Sequence, residues 1–211
     1  MLPASRCFFS SPFRRLHFFT LLLLIYIHGF NSSALSFKAA LVRKRMVELG
    51  RGNEFECPEL PHQPSAAMKR LAALVQERAT HAPALIGSSL GGFYATWLAE
   101  RYQLRAVLVN PAVRPYELLQ SALGIQTNLY TGARYEFTTA HLDELRALEV
   151  TSIDPGRYLL LVSTGDEVLD YRDAVAKYKG CTQILEEGGD HGFGTFERYL
   201  DRALAFCGVD A

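Results

Sequence analysis

A single α/β domain, a compact and mostly parallel sheet with helices on both faces, is predicted for this chain by three observations. Short apolar runs rich in Leu, Ile and Val alternate with segments whose apolar residues recur at helical spacing. The runs are continuous rather than alternating, as strands covered on both faces are. With 211 residues, 49% of them hydrophobic and 21% charged, the chain is large enough to bury one substantial core.

The elements follow in order. Leu21 to Ile27 reads as the first strand, and the glycine-containing loop His28-Gly29-Phe30-Asn31-Ser32-Ser33 lies directly behind it. Phe37, Ala40, Leu41 and Val47 predict a helix ended by Gly50. Phe55 and Cys57 sit in a short extended piece that Pro58 and Pro61 terminate. Met68, Leu71, Ala72 and Val75 predict a helix from Ser65 to Ala79. Ala84-Leu85-Ile86 ends a buried strand, and Leu90, Phe93, Tyr94, Trp97 and Leu98 then recur at helical spacing. Arg105 to Val109 is the next strand.

The stretch from Asn110 to Thr151 breaks the alternation. Pro111 and Pro115 bracket an irregular start, Tyr116 to Leu123 reads as a short helix, Asn128 to Tyr135 is polar and turn-rich, and Thr138 to Leu148 reads as a second helix. Residues 111–151 are therefore expected to form a small helical cap insert. Tyr158 to Ser163 and Thr182 to Glu186 are further strands, and Phe193, Phe196, Leu200, Ala203, Leu204 and Cys207 mark a closing amphipathic helix.

Chemistry enters between the strand at Ile86 and the helix at Leu90. Gly87-Ser88-Ser89-Leu90-Gly91 fits a strand-to-helix turn that presents a serine in a strained conformation, with small residues two places to either side of it. Gly-x-Ser-x-Gly alone would arise by accident in roughly one chain in fifteen of this length, so partners are required. Acyl transfer on such a serine needs an imidazole to take the hydroxyl proton and a carboxylate to orient the imidazole. Asp166 stands just past the strand ending at Ser163, and His191 lies in the glycine-flanked loop after the strand ending at Glu186. The order Ser89, Asp166, His191 is that of α/β-hydrolases. Asp170 is the rival acid, with Asp166 then capping the following helix. A merely helix-capping Ser89 and a structural His191 are the plainer readings of the other two.

An oxyanion hole needs two backbone N–H groups. The amide of Leu90, at a helix N-terminus, is one candidate, and the amide of Phe30 is assigned as the second. His28 and Gly29 are expected to shape that loop beside the substrate. Arg114 suits a negatively charged substrate group or, equally, an ion pair with Glu117. Tyr130 and His141 are assigned to packing or the pocket rim. Twenty-two basic and 22 acidic residues leave no net charge, and no basic run carries interleaved aromatics, so nucleic-acid binding is not expected. Cys7, Cys57, Cys181 and Cys207 have neither metal-ligand nor redox spacing, which fits free thiols in a reducing compartment and no metal.

Five strings together, Tyr26 to Ser33, Ile86 to Thr96, Asn110 to Pro115, Thr164 to Tyr171 and Gly188 to His191, resemble the small bacterial YqiA/YcfP-type esterases of the α/β-hydrolase superfamily over residues 22–207. The resemblance implies an α/β-hydrolase fold and a cytoplasmic serine esterase without metal or organic cofactor, acting on small-molecule acyl esters and on thioesters such as acyl-coenzyme A. It also implies Ser89 as nucleophile, Asp166 as acid and His191 as base. A thioesterase or acyltransferase would use the same residues, and a non-catalytic binding protein can occupy the same scaffold.

The first residues depart from that family. Arg14-Arg15 and the apolar run Leu16 to Ile27 look superficially like a signal peptide, yet no small-x-small site follows and removal would delete the first strand. Twelve residues are also too few to span a bilayer. No stable membrane insertion is expected. Residues 1–18 are expected to be an extension outside the core, disordered or preceding the true start, and 19–211 the single domain. An interfacial role for Phe8, Phe9, Phe13 and Phe18 is the rival reading.

Overall fold

The computed structural model describes residues 22–81 and 83–209. The expectations for residues 1–18 and for Leu21 lie outside these. In chain order the elements are β1 (Leu23–Ile27), α1 (Phe37–Glu48), β2 (Phe55–Glu56), α2 (Pro64–Glu77), β3 (Pro83–Ser88), α3 (Leu90–Tyr102), β4 (Arg105–Val109), α4 (Pro115–Leu118), β5 (Gly124–Thr127), β6 (Arg134–Phe137), α5 (Thr139–Ala147), β7 (Tyr158–Ser163), α6 (Tyr171–Lys177), β8 (Thr182–Glu186) and α7 (Leu200–Phe206). Six strands form one parallel sheet in the order β2-β1-β3-β4-β7-β8. This is the α/β-hydrolase fold class expected from the sequence.

The continuous apolar strands serve two cores at once, because successive side chains point to opposite faces. From β1, Leu23, Ile25 and Ile27 pack with Leu71 of α2 and Phe93 and Leu98 of α3. Leu24 and Tyr26 pack on the other face with Val42 and Met46 of α1 and Leu204 of α7. Each such buried Leu or Ile contributes about 1.5–3 kcal/mol relative to exposure.

Helix ends follow their local sequence. At Gly50, φ is +70°, and the amides of Gly50 and Arg51 return to the carbonyls of Val47 and Met46 at 2.9 and 2.8 Å, the two bonds of a Schellman stop. Pro64 occupies the first turn of α2, where no amide donor is needed.

Three boundaries differ from the expectations. The turn-rich stretch at 128–135 connects an antiparallel hairpin, β5 with β6, so the insert is not purely helical. Its four-residue strands are too short and polar to show a period, and the Asn128 side chain closes the turn by accepting the amides of Tyr130 and Thr131, both at 2.9 Å. The helix expected at 116–123 is one α-turn followed by a 3₁₀ turn, Leu119–Ala122. The closing helix starts only at Leu200, after a 3₁₀ turn at Phe196–Tyr199, because Phe193 sits at φ +51° and cannot begin a helix.

Candidate active site

All strands of the large sheet run the same way, so their following loops gather at one edge, and the chain's reversal between β1 and β3 opens a crevice there. Ser89 is the single residue between β3 and α3, at φ 55°, ψ −122°. A non-glycine residue held there costs about 1–3 kcal/mol. Its backbone is pinned on both sides: the amide donates to Val109 at 3.1 Å, and the carbonyl accepts the amides of Gly92 at 2.9 Å and Ala112 at 3.1 Å. The neighbouring glycines are required by contact. A Cβ on Gly87 would lie 2.4 Å from the Gly91 carbonyl oxygen, and one on Gly91 would lie 2.0 Å from that of Ile27.

The loops after β7 and β8 bring the other two predicted residues to this serine. His191 Nε2 stands 3.0 Å from Ser89 Oγ, and His191 Nδ1 stands 2.9 Å from Asp166 Oδ2. The Asp166 side chain is 2% exposed, which by desolvation opposes its charge. The bond from His191 and the amides of Leu169 and Val168, which donate to Oδ1 at 2.8 and 2.9 Å, outweigh burial and hold its carboxyl below the ordinary value. Asp170 faces the other way. It caps α6, accepting from the Arg172 amide at 3.0 Å and pairing with its guanidinium, so Asp166 is the aspartate that meets the imidazole and Asp170 the one that caps the following helix.

The loop behind β1 passes against the serine. A Cβ on Gly29 would lie 3.1 Å from Ser89 Cβ, so glycine at this position allows the loop to pass this close to the serine. His28 is buried, 4% exposed, and its Nδ1–H donates to the Gly29 carbonyl at 3.1 Å. Burial pushes its pKa down, against the Gly29 bond and the Glu59 carboxylate 3.9 Å from Nε2. The hairpin of the insert latches onto this loop. Asn31 bonds Gln126 at 3.0 Å and Tyr135 at 2.5 Å, and Asn128 reaches the Ser32 carbonyl at 2.9 Å.

Together these loops enclose a cavity of about 410 Å³ lined by Ser89, His191, Phe30, Phe37, Leu129 and Tyr130, among others. Leu129 is 82% exposed and Phe37 55%, so the rim is apolar and open. Tyr130 lies on that rim, whereas His141 is buried and accepts the Thr138 amide at 3.0 Å at the start of α5. Arg114 is not brought to this cavity. It lines a separate small cleft, facing Glu117 at 3.4 Å and Asp173 at 3.8 Å.

Two residues at the site were not singled out by sequence. Asn110, at φ 41° and 2% exposed, donates to the carbonyls of Asp190 and His191 and accepts the Ser163 amide. Lys38 donates to the Gly192 carbonyl. An Asn-Pro step after a strand signals a turn, which could have flagged Asn110. Lys38 carries no sequence signal at all. Among the described residues, no group of acidic, His or Cys side chains is arranged to hold a metal, and no helix is long and apolar enough to cross a membrane.

Comparison with known proteins bears on the fold and the family. The model of an "Uncharacterised protein family (UPF0227)" matches residues 23–208. The UPF0227 protein YcfP of Salmonella paratyphi A is 24% identical over 186 residues, covering 87% of this chain and 98% of that protein. A crystal structure from Agrobacterium vitis S4 superposes with a TM-score of 0.71 at 18% identity, covering 89% of this chain and 88% of that one. Est1E of Butyrivibrio proteoclasticus with ferulic acid bound gives a TM-score of 0.61 at 16% identity, covering 89% and 87%.

Proposed function

The chain belongs to the UPF0227 family and has an α/β-hydrolase fold, and on that premise we propose that it is a serine esterase that hydrolyses acyl esters through an acyl-enzyme. The observation that carries this reading is the unbroken chain of hydrogen bonds from Asp166 through His191 to Ser89. His191 takes the Ser89 proton as Oγ attacks the ester carbonyl. Asp166, held ionised, fixes the imidazole tautomer with Nδ1–H donated to its Oδ2 and stabilises the imidazolium.

The developing oxyanion lies against the amides of Phe30 and Leu90. Leu90 is the first residue of α3, where the helix dipole favours negative charge. His191 then hands its proton to the leaving alcohol, and water repeats the sequence on the acyl-enzyme. The acyl group lies against Phe37, Leu129 and Tyr130, with the insert acting as a cap. His28 and Gly29 shape the wall beside it. A cytoplasmic setting and independence from any cofactor belong to the same proposal.

The test is reaction with a fluorophosphonate, which labels an activated serine covalently. The wild-type chain is expected to be labelled and to hydrolyse a short p-nitrophenyl ester, and Ser89→Ala is expected to do neither. An unlabelled wild type, or hydrolysis by Ser89→Ala at the wild-type rate, would overturn the reading.

A further inference from the structure

Three consecutive carbonyls in the loop that carries His191 are gripped by side chains that the proposed mechanism leaves idle. The Asn110 amide nitrogen donates to Asp190 at 3.0 Å and to His191 at 3.1 Å, and the Lys38 ammonium donates to Gly192. Besides these grips, the loop is held from the segment after β7, where the Glu167 carboxylate accepts the His191 amide at 3.0 Å and Thr164 Oγ1 accepts the Gly188 amide at 2.9 Å. Gly188, Gly189 and Phe193 all have positive φ, and Gly192 and Gly194 flank the last of these. Its position must therefore come from outside.

Asn110 ties that loop to the acid as well. Its Oδ1 accepts the Ser163 amide at 2.8 Å, at the end of β7 and three residues before Asp166. Both amide hydrogens and the carbonyl oxygen of this buried side chain are thus engaged. Aspartate would have the same shape but no hydrogen to offer two carbonyls. Lys38 comes from the first turn of α1, so the loop is tied both to the end of β4 and to α1. Partial burial pushes the Lys38 ammonium down to about 8 despite the pull of Asp190 and Asp166.

We infer that Asn110 and Lys38 are positioning residues that fix the His191 loop, keeping its imidazole within reach of Ser89 and Asp166 at once. The inference rests on the esterase reading. Because a misplacement of about 1 Å can cost about 10²-fold in rate, loosening either grip is expected to act on turnover rather than on substrate affinity.

The experiment compares full-length wild type with Lys38→Met, Lys38→Arg and Asn110→Asp. It measures kcat and KM on a short p-nitrophenyl ester, the rate of fluorophosphonate labelling, and the melting curve. Lys38→Met is expected to lower kcat and labelling rate by about tenfold with KM unchanged, and Lys38→Arg to recover most of both, since a guanidinium can donate to the same carbonyl. Asn110→Asp is expected to lose about 10²-fold in kcat. If Asn110→Asp does not fold, the Lys38 pair decides. A labelled wild type alongside a Lys38→Met protein with wild-type kcat overturns this inference and leaves the esterase reading standing. A raised KM at constant kcat in Lys38→Met also overturns it, by making Lys38 a substrate contact. An unlabelled wild type overturns the esterase reading itself.

Discussion

Gly91→Ala tests how closely α3 must approach β1 for the site to work. An added Cβ would lie 2.0 Å from the Ile27 carbonyl oxygen and 2.7 Å from that of His28, against about 3.4 Å for ordinary contact, a shortfall of about 1.4 Å. Both neighbours are backbone, so neither can swing away. Relief requires the end of β1 to retreat, and the loop bearing Phe30 goes with it. Overpacking of this kind costs about 1–3 kcal/mol. Alanine's better helix propensity returns at most about 1 kcal/mol, so the contact wins. The expected net loss is about 1 kcal/mol, which lowers Tm by about 2–4 °C in a chain of this size. Activity should suffer more. A retreat of about 1 Å or more at the proposed oxyanion loop is expected to reduce kcat on a short activated ester by about 10²-fold, or about 2.7 kcal/mol of barrier. Gly156→Ala is the control, since its Cβ would meet only Asp154 Oδ1 at 3.5 Å. Wild-type kcat and Tm in Gly91→Ala would refute the claim that this contact sets the distance between helix and loop.

Exchanging the two aspartates separates their roles: Asp166→Asn is expected to cut kcat by up to about 10⁴-fold with the fold retained, whereas Asp170→Ala, which removes a helix cap, should keep kcat. Equal losses in both would show that the acid is misassigned. Acid stability follows from the same carboxyl. Because Asp166 titrates lower folded than unfolded, its stabilising contribution is present above its unfolded value near 4 and disappears as pH falls through the folded value. Urea midpoints of wild type should therefore fall toward those of Asp166→Asn below about pH 4, and a gap that stays constant there contradicts the lowered value. Arg114→Ala should leave KM for neutral and anionic esters unchanged, since the guanidinium faces Glu117 and Asp173; a rise in KM confined to anionic esters would return it to the site.

Much of the site was legible because its chemistry is written in local strings. Gly87 to Gly91 declares a tight strand-to-helix turn whatever surrounds it, and the strand before Asp166 is apolar enough to recognise without a partner. The β5–β6 hairpin was not legible. Its short strands, Gly124–Thr127 and Arg134–Phe137, are stabilised by each other and by the loop at Asn31 and Ser32, and such pairing leaves no period in either segment. Arg114 had two acceptable partners on paper, and only the position of α6 brought Asp173 to it.

The sequence by itself determined the fold class, the chain order of the large sheet's strands, and the residue types that could do acyl chemistry, because burial periodicity and glycine sterics act over a few neighbouring residues. Only the tertiary structure decided which aspartate meets the imidazole and that Asn110 and Lys38 grip its loop. Those contacts join residues separated by 25, 80 and 154 positions, and they depend on how parallel strands align their ends, which no local pattern encodes.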